Sequence, residues 1–285
     1  MKKYLIVILL SGLILAFSYF YQSQNLTDKR LHLVFCDVGQ GDGIYIRTPD
    51  RADIVIDGGP NNGKMLACLS KHMPFWDHQI DLVFATHPDA DHIGGLVEVL
   101  KSYRVGAFYT STDKNLNNTR IFESLKEEVL KQKLPFSLIV AGNKFKLSDG
   151  TSLTTLWPKA GFSAPDTNEY SLVQVLKYGD FRALLTGDIP YQILDTLEFP
   201  DSFQVFKIPH HGSKTGVDDV TFHKIRAYFV PISAGYHSRY HHPHPSVLAL
   251  LKKYNIPYLR TDKAGSIEII TDGKTTKVVN SSNRN

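Results

Sequence analysis

The chain has 285 residues, of which 42% are hydrophobic and 21% charged, a balance typical of a globular protein with a sizeable core. Its 32 basic and 28 acidic side chains give a formal net charge of +4, which permits attraction to polyanions. The charge is too evenly balanced to be a nucleic-acid-binding footprint by itself, so composition excludes the strongly basic class of binding proteins.

The first 25 residues differ in character from the rest of the chain. Lys2 and Lys3 precede an apolar run from Tyr4 to about Tyr21, after which the sequence turns polar. This order predicts an export segment over residues 1–25, either a signal peptide or a membrane anchor. The small-residue cleavage site is weak and the run is nearly long enough to span a bilayer, so both alternatives stay open. The lysines place the rest of the chain outside, extracellular or anchored to the outer side of the cytoplasmic membrane.

Strand patterns separated by turns fill residues 31–57 and predict a meander of β-strands. A helix is expected at about residues 63–72, followed by the short strand DLVFAT and a second helix over about residues 94–103. The segment RIFESLKEEVLKQ, residues 120–132, carries its apolar side chains on one face and is predicted to be an amphipathic helix.

The second half repeats this order of elements without repeating the residues. Strands in SLVQVLKYGDFRALLTGD lead through a helix at about residues 190–198 to the strand FQVFKI and a loop, PHHGSKTG. A strand in YFVPIS, a helix in SVLALLKKY and three short strands to about residue 279 follow. An internal duplication is therefore plausible. Strands followed by helices in both halves predict an α/β layered fold with its loops at one sheet edge.

The two cysteines lie in different kinds of element. Cys36 ends a strand pattern, LHLVFC, and Cys68 lies in a helical one, MLACLSKH. An exported chain could pair them, but we expect two small buried side chains rather than a disulfide.

Seven of the twelve histidines fall in three short stretches, HPDADH at 87–92, PHHGS at 209–213 and HHPHP at 241–245. Such bunching in polar loops after strands is typical of a site assembled on a rigid sheet. In the first stretch, imidazole and carboxylate groups suit divalent metal ions and can converge from one tight loop. The alternative is that Asp89 and Asp91 cap the helix that follows. Because capping does not account for the histidines, metal binding is the favoured interpretation.

Seven motifs, in order and spacing, resemble the metallo-β-lactamase-fold hydrolase domain of the ComEC family of bacterial DNA-uptake proteins. The resemblance covers roughly residues 31–272 and implies a four-layer αβ/βα sandwich for a hydrolase domain over residues 31–280. The motifs are DVGQGD at 37–42, IDGG at 56–59, HPDADHIGG at 87–95, NEYSLV at 168–173, LLTGD at 184–188, PHHGSKT at 209–215 and YHHPHP at 240–245.

The resemblance also implies two divalent metal ions at the shared edge of the two sheets. Its expected ligands are His87 and Asp89 for the first metal, Asp91, His92 and His210 for the second, and Asp188 as the bridge between them.

Further side chains are expected around the metals. Asp91 and Asp188 have catalytic roles through the ions they hold, whereas the remaining candidates bind a phosphate or protonate the leaving oxygen. For His211 a structural role is an open alternative, and Lys214 could be only a solvated charge. The candidates for phosphate or proton transfer are His211, Ser213, Lys214, His242 and His244, and the expected supporting residues are Asp57, which orients ligands, and Asp37 and Asp42, which hold loop geometry.

Two departures from the broader metallo-β-lactamase pattern bear on the metals. Asp89 stands where that pattern has a histidine, and a carboxylate favours Mn²⁺ or Mg²⁺ over Zn²⁺. No histidine lies between His92 and His210, so the first metal lacks its usual third histidine, with Asn168 or Ser171 near that place. The first site is therefore expected to bind weakly, or to fill together with substrate.

A hydroxide held between two ions suits in-line attack at phosphorus, because both ions stabilise the charge that grows on oxygen. The leading hypothesis is an exported, metal-dependent nuclease or phosphodiesterase acting on DNA. The alternatives are hydrolysis of another phosphoester or of a lactam or lactone, and a non-catalytic module that binds polyanions. A module that had lost its chemistry would have no reason to keep the whole ligand set.

Overall fold

Two β-sheets lie at the centre of the structure, a computed structural model that describes residues 2–25, 28–199, 202–236 and 240–280. The strands are β1 (Leu31–Phe35), β2 (Gly43–Arg47), β3 (Asp53–Gly58), β4 (Gln79–Ala85), β5 (Arg104–Thr110), β6 (Phe136–Leu138), β7 (Lys144–Lys146), β8 (Ser152–Trp157), β9 (Val173–Tyr178), β10 (Phe181–Leu185), β11 (Phe203–Phe206), β12 (Ala227–Ile232), β13 (Tyr258–Arg260), β14 (Ile267–Thr271) and β15 (Thr276–Asn280). The helices are α1 (Lys2–Asn25), α2 (Lys64–His72), α3 (Ala90–Ser102), α4 (Arg120–Lys131), α5 (Tyr191–Leu194), α6 (Asp219–Lys224), α7 (Pro245–Lys253) and α8 (Thr261–Ala264).

The pairing of strands repeats between the two sheets. The first sheet has the order β15-β14-β1-β2-β3-β4-β5-β6, and the second has the order β13-β12-β11-β10-β9-β8-β7. From β1 to β6 the successive pairs are two antiparallel and then three parallel. From β8 to β13 the same sequence of pairings occurs. The predicted repeat of element order is thus confirmed at the level of topology.

Alternating side chains of β1 show how the layers form. Leu31, Leu33 and Phe35 lie in the apolar core between the sheets, together with residues of β9 and β10. Val34 points to the other face, where it packs with the apolar sides of α2, α3 and α4. A third cluster lies between the second sheet and α5, α6 and α7. The helix, sheet, sheet, helix order confirms the expected αβ/βα sandwich.

Helix α3 begins at Ala90, earlier than the predicted start near residue 94. Gly94 and Gly95 in its first turns have low helix propensity, so the sequence predicts a start that is too late. They are needed for contact with β3, since a Cβ on Gly95 would lie 2.0 Å from the carbonyl oxygen of Gly58. This close approach fixes the loop that precedes α3 against the end of β3.

The two cysteines form a disulfide, with a Cα–Cα distance of 5.9 Å, so the prediction of two unpaired thiols is wrong. Both side chains are buried, as predicted. Cys36 follows β1 on the face that α2 covers, and Cys68 lies on the buried side of α2. The sequence showed two buried positions, but only the packing of α2 on the sheet makes them neighbours.

Helix α1 includes an apolar segment, Lys3–Phe20, that is long enough to cross a membrane, and its side chains are exposed in the structure. Among the described residues it is the one helix of this kind. Its length and composition agree with the predicted signal peptide or anchor, and they do not distinguish between the two.

Candidate metal centre

The predicted site residues meet where parallel strands end. His87 and His92 follow β4, Asp188 follows β10, and His210 and His211 follow β11. Strands β4 and β10–β11 belong to different sheets, so each half of the chain contributes to one edge. Polar groups at the carboxyl ends of parallel strands form the usual binding edge of α/β sheets.

Asp188 lies at the centre of this cluster. Its Oδ2 is 3.3 Å from His92 Nε2 and 3.2 Å from His211 Nε2, both buried side chains. His210 Nε2 is 3.8 Å from the same oxygen, but the His210 side chain is 26% exposed. His211 Nε2 also lies 3.6 Å from Asp91 Oδ2. One carboxylate oxygen thus faces three imidazoles from two loops.

His87 and Asp89 extend the cluster on one side. His87 Nε2 lies 3.7 Å from Asp89 Oδ2, and the rings of His87 and His92 are 4.0 Å apart. Candidate ligand atoms lie within 4.8 Å of one another in several overlapping sets. These sets are His87, His92 and Asp188; Asp91, His92 and His211; Asp42, Asp188 and His211; and Asp42, Asp57 and His92.

Several atoms at the centre of the cluster are buried without a hydrogen-bond partner among the described residues. They include Nε2 of His87, His92 and His211 and Oδ1 of Asp188. An unsatisfied buried polar atom costs about 1–3 kcal/mol, so their convergence in one place calls for a ligand. Imidazole nitrogens and carboxylate oxygens are ligands of divalent cations, and these residues fit such an ion.

Hydrogen bonds behind the histidines set which nitrogen faces the cluster. His92 Nδ1 donates to Asp57 Oδ2 at 2.8 Å. His87 Nδ1 lies 3.0 Å from Thr86 Oγ1, which itself donates to Asp57 Oδ2 at 2.6 Å. With a proton on each Nδ1, Nε2 is the nitrogen of each ring that faces Asp188, and it can bind a metal ion once it carries no proton. Asp57 thus lies behind both histidines, one directly and one through Thr86, the position from which it would orient them as expected.

Ser171 connects the two halves of the cluster. Its Oγ accepts from the backbone N–H of Asp188 at 2.9 Å and lies 3.3 Å from His87 Nδ1. Ser171 therefore contacts candidate ligands of both halves, while Asn168 lines a cleft beside Asp188.

Lys207 and Asp42 form a buried ion pair that sequence reasoning did not assign to the site. The two side chains are 0% and 1% exposed, and Lys207 Nζ contacts Asp42 Oδ2. Lys207 Nζ also donates to the Gly187 carbonyl at 2.9 Å, directly before Asp188. Asp42 Oδ1 lies 3.5 Å from His211 Nδ1. Asp42 therefore lies against the cluster itself, rather than only holding the geometry of its loop as expected. The sequence feature that could have indicated this pair is the lysine in the otherwise apolar strand pattern FQVFKI.

The charges in the cluster favour a bound cation. Burial alone raises the pKa of the Asp42 carboxyl, but Lys207 and His211 outweigh it and hold the pKa at about 2. Burial likewise raises the pKa of Asp188, and His211 and His92 bring it well below its usual value. Burial lowers the pKa of His92, yet Asp188 and Asp57 raise it well above the ordinary value. The carboxylates remain ionised at neutral pH and attract positive charge.

The structure does not support the capping alternative for Asp89, and Asp188 does not cap a helix either. Asp89 is the N-cap residue of α3, but its side chain makes no capping hydrogen bond. Instead, Asp89 Oδ1 accepts from Asn117 Nδ2 at 2.6 Å. The N-cap of α5 is Pro190, so Asp188 does not cap that helix. Both aspartates are therefore available to the cluster.

Three of the candidates for phosphate binding or proton transfer, the outer candidates His242, His244 and Lys214, occupy different environments. His244 is the N-cap of α7, where its Nδ1 accepts from the Ser246 N–H at 3.3 Å. His242 is half-buried, with its ring 5.7 Å from that of His210, and burial together with His211 and His210 lowers its pKa to about 4. Lys214 is exposed on the loop that carries His211. Of the predicted outer residues, His242 lies nearest the cluster and His244 is engaged by its helix.

Two clefts open beside the metal ligands. One has a volume of about 500 Å³ and is lined by Asn168, Asp188, His210 and Thr215, among others. The other, of about 280 Å³, is lined by residues that include aromatic, basic and histidine side chains. The residues of this second cleft are Gly235, Tyr236, His241, His242, Pro243, Arg260, Asp262 and Lys263.

Comparison with known proteins gives a consistent family match. The family model of the Metallo-beta-lactamase superfamily matches residues 36–241. ComE operon protein 3 of Bacillus subtilis (strain 168) is 29% identical over 258 residues, covering 81% of this chain and 32% of that protein. Recombination protein 2 of Haemophilus influenzae (strain ATCC 51907 / DSM 11121 / KW20 / Rd) is 25% identical over 241 residues, covering 82% of this chain and 28% of that protein. The chain spans about a third or less of each of these relatives.

A solved structure agrees in fold. The crystal structure of CmlA, a diiron β-hydroxylase from Streptomyces venezuelae, aligns with a TM-score of 0.55 at 10% sequence identity. The alignment covers 88% of this chain and 54% of that one. At this identity the likeness supports the layered architecture alone.

Proposed function

The chain belongs to the metallo-β-lactamase superfamily, and from this premise we propose that it is a metal-dependent phosphodiesterase acting on DNA outside the cytoplasmic membrane. The observation that carries the proposal is the convergence of buried imidazole nitrogens and carboxylate oxygens on Asp188. The similarity to ComE operon protein 3 supports the ComEC-like branch of the superfamily.

The geometry supports a definite division of the ligands. His211 is buried, with Nε2 between Asp91 and Asp188, so we assign it to the second metal. The partly exposed His210 lines the cleft beside Asp188 and is assigned to substrate. These two roles are exchanged relative to the sequence-based expectation. The proposed ligands are His87 and Asp89 for the first metal, Asp91, His92 and His211 for the second, and Asp188 between them.

We propose two divalent ions, with Mn²⁺ favoured and Mg²⁺ or Zn²⁺ as alternatives, because Asp89 and Asp91 harden the ligand set. Such ions lower the pKa of water and stabilise charge that develops on phosphoryl oxygens. The first site has fewer imidazole ligands, so it is expected to be the weaker one.

The chain's own side chains position the substrate. His242, with its pKa at about 4, is neutral at neutral pH and donates a hydrogen bond to a phosphoryl oxygen rather than a full proton. Lys214 adds positive charge at the mouth of the site. Lys207 holds the Gly187 carbonyl, and thereby the turn that presents Asp188.

The second cleft supports a nucleic-acid substrate. Lys263 and Arg260 supply positive charge for phosphates, and Asp262 is already engaged by Arg260 at 2.9 and 2.7 Å. Tyr236 and Tyr240 are 68% and 57% exposed beside it; Lys263 Nζ lies 5.4 Å from the Tyr236 ring centroid, and Tyr240 is stacked on His242. Exposed aromatic rings beside cationic groups are a common stacking surface for unpaired bases. A small lactam would need neither the cationic side chains nor the exposed tyrosine rings.

The decisive experiment is metal add-back to the full chain in detergent. Protein stripped of metal receives Mn²⁺, Mg²⁺ or Zn²⁺ separately and is assayed on single- and double-stranded DNA, RNA, a simple phosphodiester and a β-lactam. We expect Mn²⁺ to restore DNA cleavage. Folded, metal-loaded protein that opens the lactam and leaves all nucleic acids intact contradicts the proposal, and salt-sensitive DNA binding without cleavage would support a binding module instead.

A matched pair of variants tests the ligand assignment. His211→Gln should lower metal affinity by more than about 100-fold, beyond the range seen for residues that only orient ligands. His210→Gln should slow DNA cleavage while changing metal affinity by less than about 10-fold. Isothermal titration with Mn²⁺ measures the affinities. A larger loss of Mn²⁺ affinity in His210→Gln than in His211→Gln would identify His210 as the ligand instead. Asp188→Asn serves as the variant expected to lose both metal binding and cleavage.

A further inference from the structure

The turn between α2 and β4 presents two large aromatic side chains to solvent. Phe75 is 51% exposed and Trp76 is 38% exposed, and their rings meet edge to face at 4.9 Å. They occupy the two central positions of a turn closed by the hydrogen bond from Asp77 N–H to the Pro74 carbonyl at 2.9 Å. A tight turn with adjacent aromatic residues at its tip directs both rings away from the domain.

The turn is held firmly from behind. Asp77 Oδ2 accepts from Arg47 Nη2 at 2.6 Å, and Arg47 is 4% exposed. Asp77 Oδ1 also accepts from the Gln79 N–H at 3.3 Å. The one acidic side chain of the turn is therefore tied back to Arg47, which is also paired with the buried Asp53. The tip itself consists of the two aromatic rings.

Helix α1 places this tip at a defined depth. The apolar segment Lys3–Phe20 has 18 residues, about 27 Å of helix, which is close to the thickness of a bilayer core of about 30 Å. Its apolar side chains lie on all faces, as in a helix that crosses a membrane rather than lying on it. Tyr19 is near the end of this segment and contacts Trp76, with ring centroids 4.5 Å apart. Trp76 is therefore at the level where the apolar segment ends.

We propose that Phe75 and Trp76 form a membrane-docking tip that inserts at the lipid–water interface beside α1 in the uncleaved chain. Tyrosine and tryptophan favour this interface because their rings are apolar and their polar atoms remain hydrated. The occupant of this surface is the bilayer itself, since the tip adjoins the end of an apolar helix of membrane length. The proposal does not depend on the proposed hydrolytic activity.

Docking in this way orients the metal centre. Strand β4 runs from the turn, starting at Gln79, to the loop that carries His87. Its seven residues span about 23 Å, so the ligands lie at the opposite edge of the sheet from the tip. The metal centre therefore faces away from the lipid and is open to a polymeric substrate.

Fluorescence of the full chain in lipid vesicles tests the proposal. The sequence has two tryptophans, so Trp157→Phe leaves Trp76 as the sole reporter. Trp157 is 6% exposed in the core. Phenylalanine keeps its apolar contacts but loses the hydrogen bond from Trp157 Nε1 to the Glu169 carbonyl at 2.7 Å, so thermal unfolding first checks that the variant is folded. We expect lipids brominated near the glycerol end of the acyl chains to quench Trp76 more than about twofold better than lipids brominated near the methyl end.

A matched reporter at the other edge of the sheet provides the control. In Trp76→Phe/Trp157→Phe/Tyr236→Trp, the sole tryptophan lies beside the metal centre and should respond to aqueous iodide but not to brominated lipid. The proposal is overturned if brominated lipid does not quench Trp76, whether iodide quenches it (a tip in water) or not (a tip covered by protein), or if the chain fails to float with the vesicles. Phe75→Ser/Trp76→Ser should leave cleavage of a small phosphodiester unchanged, which separates docking from catalysis.

Discussion

The buried pair of Lys207 and Asp42 shows how single residues constrain the metal centre. Removing two charges from water is costly, and the cost is offset only when each charge has close partners. Lys207 has the Asp42 carboxylate and the Gly187 carbonyl, and Asp42 in turn approaches His211. The pair therefore connects the DVGQGD turn of the first half to the ligand loop of the second half.

Lys207→Met tests this connection. The substitution leaves Asp42 buried without its counter-charge, and we expect the free energy of unfolding to fall by about 3–5 kcal/mol. Lys207→Met/Asp42→Leu removes both charges and should recover part of that loss. The free energies are measured by urea unfolding, with exposed Lys144→Met as the control that should change stability by less than about 0.5 kcal/mol. A double variant less stable than Lys207→Met would contradict the role of the pair.

Residues within one loop were predictable, and pairs formed across the fold were not. His87, Asp89, Asp91 and His92 stand close in sequence, so their convergence could be read from the spacing. Lys207 and Asp42 come from opposite halves of the chain, and no local pattern brings them together. The choice between His210 and His211 depends on backbone angles in the loop after β11, where both residues have positive φ values, 50° for His210 and 54° for His211.

At the scale of elements, the disulfide fastens α2 to the end of β1. Cys36 lies directly after β1, and Cys68 lies in the middle of α2, 32 positions further along the sequence. The same helix packs against α3, which carries Asp91 and His92. A crosslink at this position limits how far α2 can move from the sheet, in agreement with an oxidising environment outside the cytoplasm.

Removal of this crosslink should be measurable. Cys36→Ala/Cys68→Ala is expected to lose about 3–4 kcal/mol, because a closed loop of this length restricts the unfolded chain. Thermal unfolding with and without a thiol reductant makes the comparison. The reductant should lower the Tm of the parent protein and leave that of the variant unchanged. An unchanged Tm for the fully reduced parent would show that the disulfide does not stabilise the fold.

Element boundaries were predictable where one periodic pattern dominates. The amphipathic helix predicted over residues 120–132 is α4, Arg120–Lys131. The short edge strands β6 and β7 went unpredicted because each has three residues, too few to establish a period. Helix α5 has one turn, shorter than the predicted helix over residues 190–198.

On the scale of the whole molecule, the candidate metal centre joins the two halves of the sandwich. His87 and His92 come from the first half, whereas Asp188 and His211 come from the second, and Ser171 contacts both sides. An ion bound here must interact with the folded arrangement far better than with the unfolded chain, in which these residues are apart. Metal binding is therefore linked to global stability.

Metal addition should raise the Tm of the stripped protein. At a free Mn²⁺ concentration of about 100 times Kd, linkage predicts a gain of about 2.7 kcal/mol. Differential scanning calorimetry across a Mn²⁺ series measures the effect, and Asp188→Asn, which removes the shared carboxylate, should show little of it. Equal stabilisation of this variant would place the ion elsewhere.

The repeated order of strands and helices could be predicted because both halves show the same alternation of patterns. The order of strands within each sheet could not, since β14 joins β1 from the far end of the chain. That pairing depends on the shape of the finished sandwich rather than on a local signal.

The apolar layer between the sheets has a further consequence for the ligands above it. Because His87 and His92 are carried by one sheet and Asp188 by the other, the thickness of that layer sets their separation. Leu176, Phe84 and Leu185 lie in this layer and thus help to set the distance between the two groups of proposed ligands. Substitutions at such positions, remote from the proposed site, are therefore expected to change which radius of cation it accepts.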